Sequence, residues 1–232
     1  MHAGGQLPLA LRYPPDQRLD TFTDAPAGAL AQLRALAESA SADWLYLNGP
    51  AGVGKTHLAL ATCAAAETFG RRAVYVPLGA AKGRLQDALE AMHGNDVVAL
   101  DGVDLVAGSR ADELALFDFH NRARSAGVSL LYAAEVAPDG LAVTLPDLRS
   151  RLGQCTRIVL SPLDEAGRRR VLRGRAQRRG LELDEAALDW LLRRVGRDLF
   201  GLTALLDRMD SASLAAQRRL TVPFLKETLG LD

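Results

Sequence analysis

Eight consecutive residues, Gly49-Pro50-Ala51-Gly52-Val53-Gly54-Lys55-Thr56, fit the spacing G-x-x-x-x-G-K-[ST] without adjustment. Each residue type has a chemical reason to be there. Gly52 and Gly54 open backbone conformations that are closed to residues with a Cβ, so successive amide hydrogens can converge on phosphate oxygens. A helix starting near Lys55 aims its positive dipole end at the same point. The Lys55 ammonium reaches the β- and γ-phosphates of a nucleotide, and the Thr56 hydroxyl serves Mg²⁺. All eight residues, followed by His57, are therefore candidate contacts for ADP or ATP. Asp101 closes the apolar run Val97-Val98-Ala99-Leu100 and is the expected second partner of Mg²⁺.

Such a loop works only if a strand delivers it and a helix receives it. Trp44-Leu45-Tyr46-Leu47 is a short apolar run ending at Gly49, and residues 57–69 read as an Ala/Leu-rich helix. Further apolar runs follow at 73–76, 97–100, 128–133 and 157–160, alternating with helical patterns near 85–92, 113–125 and 148. Short runs without polar alternation suit parallel strands covered on both faces. The reading is an α/β fold with a central parallel five-stranded sheet. Residues 24–41 show helical spacing at Leu30, Leu33 and Leu36 ahead of the first strand. After Ser161-Pro162-Leu163 only helical patterns remain, near 164–179, 184–195, 198–217 and 221–229, with Asp184 and Thr221 as N-cap candidates. The expected organisation is a tail over 1–17, a nucleotide-binding α/β domain over 18–161 and a small all-helical lid over 162–232.

The wider composition narrows the function class. Lys plus Arg (28) balances Asp plus Glu (28), so no net field draws the chain to nucleic acid or anionic lipid. Cys63 and Cys155 are too few for a disulfide framework and read as small apolar residues of a reduced protein. His2, His57, His93 and His120 have no metal-ligand spacing. No run reaches the ~18 apolar residues of a membrane span, and the start lacks a charged region ahead of an apolar stretch. A cytoplasmic protein without membrane contact is expected. The arginines at 168, 169, 170, 173, 175, 178 and 179 read as a solvated face partly paired with nearby acids, or as a contact surface for a partner or for phosphates.

These motifs resemble the DnaA family of AAA+ replication initiators, and within it the shorter Hda-type members. The resemblance covers nearly the whole chain. Gly54-Lys55-Thr56-His57-Leu58 is the GKTHL form of the loop, and Phe117 to Asn121 sits where the family has a similar helix. Leu148-Arg149-Ser150-Arg151-Leu152-Gly153 resembles the segment that carries the arginine finger, with Arg151 at the finger position. Arg197-Asp198-Leu199-Phe200-Gly201 resembles the R-E-L-E-G segment of the lid, which makes Arg197 the sensor-2 arginine on the nucleotide. The ending from Leu220 to Glu227 is similar to the Hda-type C-terminus. Gln6-Leu7-Pro8-Leu9-Ala10-Leu11 resembles the QLxLxL peptide that docks on the replication sliding clamp, with Gln6 as a hydrogen-bonding anchor and Leu7, Leu9 and Leu11 entering apolar pockets. Ala10 and Arg12 depart from the bulky apolar endings of strong clamp peptides, so modest affinity is expected.

The resemblance implies a negative regulator of chromosomal replication initiation. It would be tethered to the clamp, hold nucleotide, and use Arg151 in trans to promote hydrolysis of ATP on DnaA. Many AAA+ proteins place an acid immediately after the aspartate of the third strand; here that residue is Gly102, with Asp104 further on. A polar sensor usually ends the fourth strand, and Glu135 is the nearest candidate. Weak intrinsic turnover is the expectation. A homodimer or longer AAA+ assembly fits the resemblance; sequence-specific DNA binding is not expected, since no DNA-reading domain follows the lid. Two alternatives remain: an autonomous AAA+ ATPase such as a helicase loader, and a non-enzymatic adaptor between clamp and DnaA.

Overall fold

The computed structural model describes residues 17–194 and 221–229. Five strands, β1 (Leu45–Asn48), β2 (Ala73–Pro77), β3 (Val97–Asp101), β4 (Ser129–Ala134) and β5 (Thr156–Val159), form one sheet in the order β2-β3-β4-β1-β5. Every pairing is parallel. Parallel neighbours need crossovers, and helices supply them. They are α2 (Lys55–Thr68), α3 (Leu85–Glu90), the short α4 (Val103–Val106) leading into α5 (Arg110–Ser125), and α6 (Pro146–Gly153); α1 (Ala29–Glu38) precedes the sheet.

The strands are apolar throughout because both faces are covered. Tyr46, Val98, Leu100, Leu130 and Tyr132 pack with Leu85, Leu89, Leu116, Leu148 and Leu152 on one side. Leu45, Leu47, Val97, Ala99, Leu131, Ala133 and Ile158 pack with Leu33, Leu36, Leu58 and Cys63 on the other. The two sets alternate along each strand, as the pleat requires. At the amino end of the sheet, the Arg71 guanidinium donates to the carbonyls of Leu36 (2.7 Å), Ala37 (3.0 Å) and Asp96 (3.0 Å) and to Ser129 Oγ (2.9 Å), tying α1 to the starts of β3 and β4.

The carboxyl end holds the candidate site. Register places Asn48 beside Ala134 and Asp101 beside Ala133, so the strand ends before the glycine loop and at Asp101 share one edge. β1 lies between β4 and β5 while its own crossover runs to the far strand β2, so strand order switches at this edge, where open α/β sheets bind ligands.

The lid helices are α7 (Glu165–Arg178), α8 (Glu185–Arg194) and α9 (Val222–Leu229). Asp164 and Asp184 cap the first two, accepting the N–H of Gly167 (2.7 Å) and Ala187 (2.6 Å). The Thr221 carbonyl accepts the N–H of Leu225 (2.9 Å) at the start of α9. Ala187, Leu191 and Leu225 form a small core, with Leu172, Leu188 and Leu192 beside it. The helix expected near 198–217 lies outside the described residues.

The helix after the glycine loop begins at Lys55, as the loop's chemistry requires, because left-handed Gly54 turns the chain directly into it. One helix start differs from the sequence reading. α5 begins at Arg110 rather than 113, because Ser109 Oγ accepts the Asp112 N–H. Among the described residues no helix is long and apolar enough to cross a membrane.

Candidate functional site

The glycine loop runs from β1 to the N-terminus of α2, a 14-residue helix. Gly52 (φ 78°) and Gly54 (φ 99°) adopt left-handed backbone, which turns the chain back on itself ahead of Lys55. A Cβ on Gly49 would lie 2.2 Å from the Leu160 carbonyl oxygen, so this glycine is required by contact with the chain leaving β5. Lys55 Nζ donates to the carbonyls of Gly49 (2.6 Å) and Pro50 (2.8 Å), which hold the ammonium over the loop.

Thr56 and Asp101 meet at this edge of the sheet. Thr56 Oγ1 donates to Asp101 Oδ2 at 2.6 Å. A second donor reaches the same oxygen: the Tyr75 hydroxyl, at 2.9 Å from the neighbouring strand β2. Sequence reading did not single out Tyr75, since a strand aromatic has no local signature for what its hydroxyl contacts. Thr56 and Asp101 are hard oxygen donors of the kind Mg²⁺ takes. Among the described residues no group of three or more His, Cys, Asp or Glu side chains could hold a metal by itself. A magnesium ion here would therefore complete its shell with phosphate oxygens and water, as that ion usually does.

A cleft of about 960 Å³ opens over the loop. Residues 51–57 form its floor, and Gly49 and Pro50 stand outside the lining, joined to it through Lys55. One wall is the strap Gln17–Pro26, including a 3-10 turn at Leu19–Thr21; the other is formed by Val159–Asp164 with Arg170, Val171 and Arg175 of α7. His57 lines the cleft: its Nε2 lies 3.2 Å from the Arg18 carbonyl and its ring sits 5.3 Å from Phe22. Across the opening, Arg170 pairs with Asp24 of the strap at 2.6 Å. The strap escaped the sequence reading, and so did the place of Arg170 and Arg175 at the cleft, because no motif spans a loop and a helix so far apart in the chain.

At least three of the seven lid arginines pair with acids. Besides Arg170 with Asp24, Arg173 pairs with Glu185 and Arg169 with Asp189. This is the partly paired face that composition suggested.

Arg151 sits on α6, half-buried, and is not among the residues lining the cleft. Its helix is fixed from below. The buried Glu113 carboxylate accepts from the N–H groups of Gly108 (2.7 Å), Thr144 (2.9 Å) and Leu145 (2.8 Å) and from the Thr144 hydroxyl (2.7 Å), pinning the segment that enters α6. Burial raises the Glu113 pKa, but these bonds, led by Thr144, outweigh it and hold the carboxyl below its ordinary value. Arg149 closes the same segment by donating to the Val143 carbonyl at 2.6 Å. Behind α6, His120 is buried, with Nδ1 3.0 Å from the Tyr132 hydroxyl and its ring edge-on to Trp44 at 4.7 Å. Burial, then the positive charges of Arg151 and Arg124, push its pKa down to about 4. Cys155 nearby is pushed up to about 12 by burial, so it stays a thiol at neutral pH.

The hydrolytic positions are sparse. Gly102 follows Asp101 with φ 85° and leads into α4. Asp104 does not serve the cleft; its Oδ1 accepts the Glu135 N–H at 2.9 Å and so ties α4 to the end of β4. Glu135 itself is exposed and does not line the cleft. Gln6, Leu7, Leu9, Leu11 and Arg197 lie outside the described residues.

Known proteins share this fold. Residues 164–229 match the family model for the lid domain of Hda, and residues 15–129 match that of IstB-like ATP binding proteins. Domain III of the Thermotoga maritima replication initiation protein DnaA superposes with a TM-score of 0.78 at 20% identity, covering 95% of this chain and 98% of that one. AMPPCP-bound DnaA from Aquifex aeolicus gives a TM-score of 0.68 at 21% identity, covering 84% of this chain and 65% of that one. The Thermotoga maritima RuvB Holliday junction branch migration motor gives 0.64 at 20% identity, covering 94% and 72%. At these identities the structural likeness speaks for the fold. The chain thus joins a P-loop α/β domain, similar over residues 15–129 to IstB-like ATP binding proteins, to a helical lid that matches the lid domain of Hda over residues 164–229.

Proposed function

We propose that this chain is a nucleotide-bound negative regulator of replication initiation that provokes hydrolysis of ATP held by DnaA. The observation that carries the reading is Arg151. It stands outside its own chain's cleft, on a helix anchored by Glu113 and Arg149, and among the described residues it makes no ion pair. A guanidinium so placed is available to a neighbouring AAA+ active site, where it would stabilise charge spreading over the transferred phosphoryl group, a contribution of about 10³–10⁵ in rate. In its own cleft the amides of Gly52–Thr56 and the Lys55 ammonium would hold the phosphates of ADP or ATP, with Thr56 and Asp101 toward Mg²⁺. Gly102 follows Asp101 where many AAA+ proteins place an acid, and Asp104 is bonded to the Glu135 N–H, which supports weak turnover by the chain itself. Bound nucleotide would set the stance of the lid, with Arg197 as the lid's own contact. The segment Gln6–Leu11 would tether the chain to the DNA polymerase III sliding clamp and raise its effective concentration near DnaA. An AAA+ homodimer or longer assembly would use the same finger surface.

The test is hydrolysis of DnaA-bound ATP in the presence of clamp loaded on DNA. The unaltered chain accelerates it; Arg151→Ala abolishes the acceleration while ADP binding by calorimetry stays intact. Equal acceleration by both proteins removes the finger assignment and leaves the adaptor reading. The match to IstB-like ATP binding proteins favours a second reading, an autonomous AAA+ ATPase. Rapid multiple turnover by the purified chain alone would establish it.

A further inference from the structure

We propose that Tyr75 is a positioning residue for the magnesium-bound nucleotide, acting through Asp101. The inference rests on the nucleotide-binding reading of the cleft. β2 pairs with β3 so that Tyr75 faces Ala99 and Pro77 faces Asp101, which sets the Tyr75 ring two residues back from the carboxylate on the adjacent strand. From there its hydroxyl spans diagonally to Asp101 Oδ2 at 2.9 Å, and Thr56 Oγ1 reaches the same atom at 2.6 Å. Two donors on one carboxylate oxygen fix the rotation of the group and leave Oδ1 for the hydration shell of a cation.

The division of labour follows from proton counting. Thr56 has one hydroxyl proton, and with that proton given to Asp101 its lone pairs are free for a metal. Were Thr56 the sole restraint on Asp101, any shift of the threonine toward a cation would release the carboxylate as well. The Tyr75 donor removes that conflict. Its side chain is half-buried, and a phenol is protonated at neutral pH, so the donor is always present. Neither Tyr75 nor Asp101 is among the residues lining the cleft, where Thr56 is the link to both, so Tyr75 acts through the carboxylate it holds. Second-layer groups that orient metal-facing ligands characteristically tune metal affinity.

The experiment is calorimetric titration of ADP and ATP into the full chain, once with EDTA and once with excess Mg²⁺. Tyr75→Phe keeps the ring and removes the donor. Its affinity in EDTA stays at the unaltered value, while the tightening conferred by Mg²⁺ falls about fivefold, the net effect of one hydrogen bond. In an Asp101→Asn background the same substitution changes nothing further, a result that general loosening of β2 would not give. An undiminished magnesium effect overturns the proposal, and so does an equal loss with and without the ion. Absence of binding by the unaltered chain under both conditions would instead remove the nucleotide reading itself, and this inference with it.

Discussion

Acid sensitivity should concentrate on one imidazole. His120 is 1% exposed, its Nδ1 is satisfied by Tyr132, and its Nε2 is buried without a partner. Protonation places a second charge in the core behind Arg151 and Arg124, and the folded pKa lies at about 4 rather than 6.5. A base whose pKa is depressed by folding takes its proton more readily in the unfolded chain, so stability falls as pH drops from near 6.5 toward 4. With those two values the loss at about pH 4.5, relative to about pH 7.5, amounts to roughly 2.5 kcal/mol. His120→Phe keeps a flat ring against Trp44 and removes the titration. Urea unfolding of both proteins at the two pH values gives four free energies, and their double difference cancels carboxylates common to both. The expected double difference is the same roughly 2.5 kcal/mol, the histidine protein losing more. Parallel pH profiles would refute the reasoning. Arg151→Ala removes one of the repelling charges and should raise the His120 pKa, making that variant more acid-resistant at this position.

Two further outcomes follow from named contacts. Glu113→Ala leaves the N–H groups of Gly108, Thr144 and Leu145 without their acceptor, and urea midpoints should record a loss of about 3 kcal/mol. Because the Glu113 pKa is lowered on folding, its contribution is present above the ordinary carboxylate range and disappears as pH falls through the folded value, so the variant and the parent converge in strong acid. Gly54→Ala puts a Cβ on left-handed backbone and within 2.6 Å of the Phe22 ring. Thermal unfolding should show a cost of about 1–2 kcal/mol from the backbone alone, and ADP titration a weaker complex.

Much of this molecule was legible before its structure. The strands announced themselves because sheets buried on both faces leave no room for polar alternation, as Val97–Leu100 illustrates. The glycine loop was legible because its chemistry is local: every part of the phosphate cradle lies within eight consecutive residues. What stayed hidden is long-range or short. The Tyr75–Asp101 bond joins residues 26 apart on neighbouring strands, and Arg170–Asp24 joins residues 146 apart. The four-residue helix Val103–Val106 is too brief for any periodicity to register. Ser109 three residues before Asp112 was a readable cap signal, and it marks the true start of α5. Glu113 and His120 read as ordinary positions on that helix; only packing reveals that one carries the entry to α6 and the other forbids a charge beneath it.

The near-touch between Gly49 and Leu160 has a mechanical meaning. Leu160 donates its N–H to Asn48 (2.7 Å), and its carbonyl abuts the glycine that opens the phosphate loop. Ser161-Pro162-Leu163 then leads straight into α7. The chain entering the helical module is thus seated directly on the rim of the cradle, so a shift of that rim would bear on the root of α7.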